Sequence, residues 1–255
     1  MTKLYVETLG KGRDVVLLHG WGVHGGVWGG ARAALAKRFR VHCVDFPGYG
    51  KSGGCAQHTL IELVQLLAKA APESAAVCGW SLGAQVALAW ARSFERQVKQ
   101  LVLVAATPRF VRSPDWQHGM KTRVFAEFES KLDRDRQIAL KRFISLQSRG
   151  AENARSQSTW LRKQLSMRGV PEPCALETGL RILHDTDLRE TARKLRQPVL
   201  LLHGAADALV PLGAAFWLKR HFPRAKLKVF ERCGHAPFLS KPEEFVKEIV
   251  EFLDE

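Results

Sequence analysis

Short apolar runs recur along the chain, and between them the apolar positions repeat with a helical period. Val15-Val16-Leu17-Leu18, Ala75-Ala76-Val77-Cys78 and Val199-Leu200-Leu201-Leu202 read as strands buried on both faces. Lys226-Leu227-Lys228-Val229-Phe230 alternates, as a half-exposed strand does. The pattern predicts strands near 3–8, 14–19, 40–45, 75–80, 100–105, 198–203 and 226–231. Helices fall near 27–38, 59–71, 82–93, 211–222 and 242–254, with Pro211 and Pro242 suited to helix starts. Strand–helix alternation of this kind implies an α/β fold with a mostly parallel central sheet flanked by helices. The alternation stops between Arg112 and Asp187, where only helical patterns occur, as in Val124 to Phe128 and Ile138 to Leu146. We expect an inserted helical cap at 112–187, entered at Ser113-Pro114 and broken at Pro171-Glu172-Pro173. Segments 1–111 and 188–255 then form the core domain.

One turn in this frame carries chemistry. Gly79-Trp80-Ser81-Leu82-Gly83 lies between a buried strand and a helix, the setting of a nucleophile elbow. A serine hydroxyl there needs a base and an acid, which follow in the order Ser, Asp, His. Asp207 lies just beyond the strand ending at His203-Gly204, and His235 just beyond the last strand, in Gly234-His235-Ala236-Pro237. Parallel sheets place their sites at these strand ends. Asp185 and Asp187 are rival acids, but they precede the penultimate strand. His19-Gly20-Trp21-Gly22 follows an early strand, so the Trp21 N–H can join that of Leu82 as an oxyanion hole. Phe143-Ile144-Ser145-Leu146-Gln147 of the cap is a candidate acyl-channel wall, with Trp80, Leu209 and Phe238 as further walls.

Composition removes other classes. No apolar run approaches the roughly 20 residues of a membrane span, and Met1 to Glu7 lacks a signal-peptide core. Cys43, Cys55, Cys78, Cys174 and Cys233 are odd in number and lack metal spacing, which suits a reducing cytoplasm better than a disulfide framework. No ligand cluster suggests a metal, and no cofactor is expected. Gly48-Tyr49-Gly50-Lys51-Ser52 looks like the tail of a phosphate loop, but Asp45 occupies the position of its first glycine, so it reads as a structural turn. The net charge of +14 is uneven: residues 136–168 hold eight basic residues and one acid, Glu152. No nucleic-acid motif accompanies it, so an acidic protein partner fits better than a solvated face.

Taken together, His19-Gly20-Trp21-Gly22, Gly79 to Gly83, Phe143 to Gln147 and Gly234-His235-Ala236-Pro237-Phe238 resemble the α/β-hydrolase superfamily. Within it they are similar, from end to end, to the pimeloyl-acyl-carrier-protein methyl ester esterases of biotin synthesis. The resemblance implies a carboxylesterase that frees pimeloyl-acyl-carrier protein and methanol; simple esters should also be accepted, since the chemistry needs only an acyl carbonyl and a leaving alcohol. It implies substrate contacts at Trp21, Ser81, Leu82, Phe143, Ile144, Ser145, Leu146, Gln147 and His235. It further implies carrier-protein docking through Arg142 and Arg155, whereas Ile138 and Thr159 stand where that pattern carries further basic residues. Two alternatives stay open: another capped hydrolase acting on small free esters or carbon–carbon bonds, and a non-catalytic ligand receptor on the same scaffold. A monomer without nucleic-acid or membrane partners is the simplest assembly.

Overall fold

The structure is a computed structural model that describes every residue except 1, 2 and 55. In chain order the elements are β1 (Val6–Leu9), β2 (Asp14–Leu18), α1 (Gly29–Leu35), β3 (Arg40–Val44), α2 (Leu60–Ala70), β4 (Ala75–Trp80), α3 (Leu82–Ser93) and β5 (Val98–Val104). Five helices follow: α4 (Thr122–Arg134), α5 (Arg136–Ser148), α6 (Ala154–Arg168), α7 (Pro173–Asp185) and α8 (Arg189–Lys194). The chain then returns to β6 (Val199–Gly204), α9 (Leu212–His221), β7 (Ala225–Phe230), α10 (Pro237–Ser240) and α11 (Pro242–Leu253).

The seven strands form one sheet in the order β1-β3-β2-β4-β5-β6-β7. Only β1 runs antiparallel to its neighbour β3. The uniformly apolar runs became the central strands: β4 and β6 are buried along their whole length, as a parallel sheet covered on both faces requires. The alternating run became β7 at the edge, with Lys226 and Lys228 reaching acids of the C-terminal region. Thr59 starts α2 with a reciprocal capping box to Glu62.

Between β5 and β6 the described residues form helices and only isolated bridges, among them Arg109 to Asp187. α7 begins at Pro173, the break expected from sequence. The Asp45 turn holds the first of two anchors for this helical layer. Asp45 is fully buried and accepts the N–H groups of Gly25 (2.6 Å) and Lys51 (2.9 Å). Arg168, at the end of α6, lies 3.3 Å from the same carboxylate and also pairs with Glu7. At the second anchor the His24 ring donates from Nε2 to the Gln164 carbonyl at 2.8 Å. Arg168 is therefore an interior clasp and leaves the basic surface counted from sequence.

The cysteines need one correction. Cys43, Cys78 and Cys233 are free and buried, but Cys174 is disulfide-bonded. Spacing along the chain carries no information on a cysteine whose partner is brought near only by folding. Cys55 lies outside the described residues.

Candidate active site

Ser81 sits between β4 and α3 with φ 56° and ψ −112°, in the positive-φ region that side chains avoid. Two close approaches hold it there. A Cβ on Gly79 would lie 2.1 Å from the Gly83 carbonyl oxygen, and one on Gly83 would lie 2.4 Å from that of Leu18. Glycine at both flanks thus lets α3 start directly against the end of β2. The Ser81 N–H is tied to the Val104 carbonyl at 3.0 Å. Leu82, as the first residue of α3, has an N–H with no acceptor inside its own helix.

On the far side of β5, the loops after β6 and β7 bring together the other two residues. The His235 ring donates from Nδ1 to Asp207 Oδ2 at 2.7 Å, and both side chains are fully buried. Asp207 Oδ1 accepts the N–H groups of Leu209 (2.8 Å) and Val210 (2.9 Å). Burial by itself would raise the Asp207 pKa; the adjacent His235 ring and these hydrogen bonds outweigh it and hold the carboxyl below its usual range. His235 Nε2 is buried and makes no hydrogen bond to the described residues. The rival acids lie elsewhere: Asp185 pairs with His184, and Asp187 with Arg109 and Arg189.

Three supports of His235 carry no signal in residue type. Its backbone N–H donates to the Gln147 carbonyl at the end of α5, at 3.1 Å. Its carbonyl accepts the Trp80 indole N–H at 2.8 Å. The Trp80 ring also packs on His235 and, at 5.0 Å, on Phe238. Trp80, Leu209 and Phe238, expected as channel walls, are all buried, and Leu209 donates its N–H to Asp207.

The loop carrying Trp21 is fixed by His19, whose ring donates from Nδ1 to the Gly20 carbonyl (2.8 Å) and accepts the Phe46 N–H at Nε2 (3.0 Å). The buried Trp21 indole reaches into the helical layer. It donates to the Leu176 carbonyl of α7 at 2.9 Å and packs edge-on against Phe143 of α5 and Phe128 of α4. Of the five α5 candidates, Phe143, Ile144 and Gln147 are buried. Ser145 and Leu146 line an outward groove shared with Lys131, Arg142, Arg149 and Arg162. Arg155 lies on a separate patch with Trp160 and Lys163. A small cavity, of about 20 Å³, is lined by Leu82, Phe46, Tyr49 and the Thr178–Gly179 face of α7.

The model of the alpha/beta hydrolase family matches residues 15–248. A pimeloyl-[acyl-carrier protein] methyl ester esterase of Nitrosomonas europaea is 47% identical over 246 residues, covering 96% of this chain and 98% of its own. Its counterpart in Nitrosospira multiformis is 41% identical, covering 98% of this chain and 97% of its own. Among solved structures, an esterase from Exiguobacterium antarcticum superposes with a TM-score of 0.89 at 25% identity, covering 100% of this chain and 96% of that one. A bromoperoxidase from Bacillus anthracis shares the fold at a TM-score of 0.90 and 22% identity, covering 100% and 96%. The chain belongs to the α/β-hydrolase family and, within it, to the pimeloyl-[acyl-carrier protein] methyl ester esterases.

Proposed function

We propose that this esterase hydrolyses the methyl ester of pimeloyl-acyl-carrier protein in biotin synthesis, with Ser81, His235 and Asp207 as its catalytic triad. Segment 112–187 is its cap. The observation that supports the triad is the buried Asp207–His235 pair, with Nδ1 bound to the acid at 2.7 Å and Nε2 without a hydrogen bond among the described residues.

The chemistry follows from these positions. A hydroxyl is a weak nucleophile at neutral pH, so His235 Nε2 takes the Ser81 proton as Oγ attacks the ester carbonyl. Asp207, acceptor-only while ionised, keeps the Nδ1–H tautomer in place and stabilises the imidazolium. The negative charge that develops on the carbonyl oxygen meets the N–H groups of Trp21 and Leu82, the latter at a helix N-terminus. His235 returns its proton to the departing methoxide, and methanol leaves an acyl-serine. Water, deprotonated by the same nitrogen, attacks that ester; the pimeloyl carboxylate departs and Ser81 regains its proton. No step calls for a metal or cofactor.

Arg142 supports the partner assignment, because the groove around it gathers cations without an acid among its lining residues. An acidic carrier protein docked there would lie one helix from the site, since the opposite face of α5 carries Phe143 against Trp21. Phe143, Ile144 and Gln147 then belong to the substrate side, with Ser145 and Leu146 on the docking side. No helix among the described residues is long and apolar enough to cross a membrane. Cytoplasmic residence and a monomeric state are separate parts of the proposal.

Ser81→Ala tests the nucleophile. Alanine fits the turn in size but cannot form the acyl-enzyme. Hydrolysis of a simple ester should drop to background, and a fluorophosphonate probe should label wild type and miss the variant. Undiminished labelling of a folded Ser81→Ala protein moves the nucleophile elsewhere.

A further inference from the structure

His203, near the end of β6, is 1% exposed and has no part in the chemistry above. Its surroundings connect it to the acid. The ring donates from Nε2 to the Val210 carbonyl at 3.0 Å, and the same nitrogen lies 3.7 Å from Asp207 Oδ2. Val210 is therefore held from both sides: its carbonyl by His203, and its N–H by Asp207 Oδ1 at 2.9 Å. The Asp207 N–H closes the turn onto the Gly204 carbonyl at 3.2 Å. Asp207 thus ends a closed loop whose only side-chain donor, among these contacts, is His203. The oxygen that faces His203 is the one that binds His235.

We propose that His203 is a positioning residue: through the Val210 carbonyl it fixes the Asp207 carboxylate in register with His235. The proposal rests on the triad reading. A donor is needed because a buried carbonyl left unpaired would pull the 207–210 loop toward another partner. The ring must also be neutral, since a second imidazolium beside Asp207 would compete with His235 for its charge. Burial provides this by pushing the His203 pKa down against the attraction of Asp207. Imidazole in this tautomer supplies an N–H on the far side of the ring. A glutamine amide reaches that place, whereas an asparagine amide is too short and a phenylalanine ring has no donor.

The test is steady-state hydrolysis of a simple ester by His203→Gln, His203→Asn and His203→Phe, with Asp207→Asn alongside and melting temperatures recorded for all. Loss of one hydrogen bond that holds a catalytic charge corresponds to roughly tenfold or more in rate. His203→Asn and His203→Phe should lose about that factor in kcat with KM little changed. His203→Gln should recover most of it, including where its melting temperature matches that of His203→Asn. Asp207→Asn with wild-type activity would remove the triad reading itself. If Asp207→Asn is inactive while His203→Asn keeps wild-type kcat, the positioning role alone is overturned. So it is if His203→Gln falls as far as His203→Asn at equal stability, since the ring would then matter for packing and not for its donor.

Discussion

His19 shows how much a single imidazole is asked to do. Both ring nitrogens are committed, one donating to Gly20 and the other accepting from Phe46, so the ring cannot take a further proton without losing the Phe46 bond. It also lies tilted against the Phe46 and Tyr49 rings. Burial drives its pKa from an ordinary 6.5 down to about 4. Between those values the unfolded chain binds a proton that the folded protein refuses, so stability rises with pH across the window. The contribution is complete above the unfolded value and is lost as pH falls toward 4. For a fully buried group this amounts to about 3 kcal/mol. His19→Gln should therefore cost most stability near neutral pH, and the gap to wild type in urea unfolding should narrow on acidification. A gap that stays constant with pH would show that His19 titrates alike in both states.

At the level of elements, the sheet was readable because each central strand buries both faces, and an unbroken run such as Val199 to Leu202 has no other economical use. Asp207 and His235 were readable for a related reason: both follow strands directly, where short connections leave little freedom. The helical layer was less so. α5 carries Phe143 inward and Arg142 outward, and its last turn supplies a backbone carbonyl to His235. Neither backbone acceptors nor long-range partners such as Arg168 for Asp45 leave a mark on local pattern. α7 gives the sharpest consequence. Gly179 lies inside this helix, where alanine would ordinarily gain about 1 kcal/mol in helix propensity. Here a Cβ would stand 2.6 Å from Trp21 Cδ1 and 3.0 Å from the Tyr49 hydroxyl. Overpacking against two buried rings costs about 1–3 kcal/mol, so Gly179→Ala should be neutral to destabilising despite its propensity. Because Trp21 must shift, kcat for a simple ester should fall more than stability does. A stabilised variant with unchanged kcat would mean that α7 can move away from Trp21 freely.

Across the whole molecule, the +14 charge is not spread evenly, and folding sorts it further. Arg168 turns inward to Glu7 and Asp45, and Arg136 pairs with Glu177. Arg142 remains in a groove with Lys131, Arg149 and Arg162, while Arg155 stands with Lys163 on the other patch. Such exposed charges contribute individually about 0.2–1 kcal/mol, too little for one pair to select a partner. Several acting together steer encounter and fix orientation, and salt screens them. The proposed chemistry needs none of them, because the groove lies on the face of α5 opposite Phe143, which packs against Trp21. Reversing Arg142 and Arg155 to Glu should therefore raise the apparent KM for a carrier-linked ester severalfold at low salt and leave a small chromogenic ester unaffected. Added salt should weaken carrier-linked turnover in wild type more than in the double variant. Arg162 is left in place for this comparison because it donates to Ser145 Oγ at 2.8 Å and braces α5 against α6. If both substrates lose activity equally, the arginines hold the helical layer together. If neither does, the charge is a solvated face, and a small free ester becomes the better substrate.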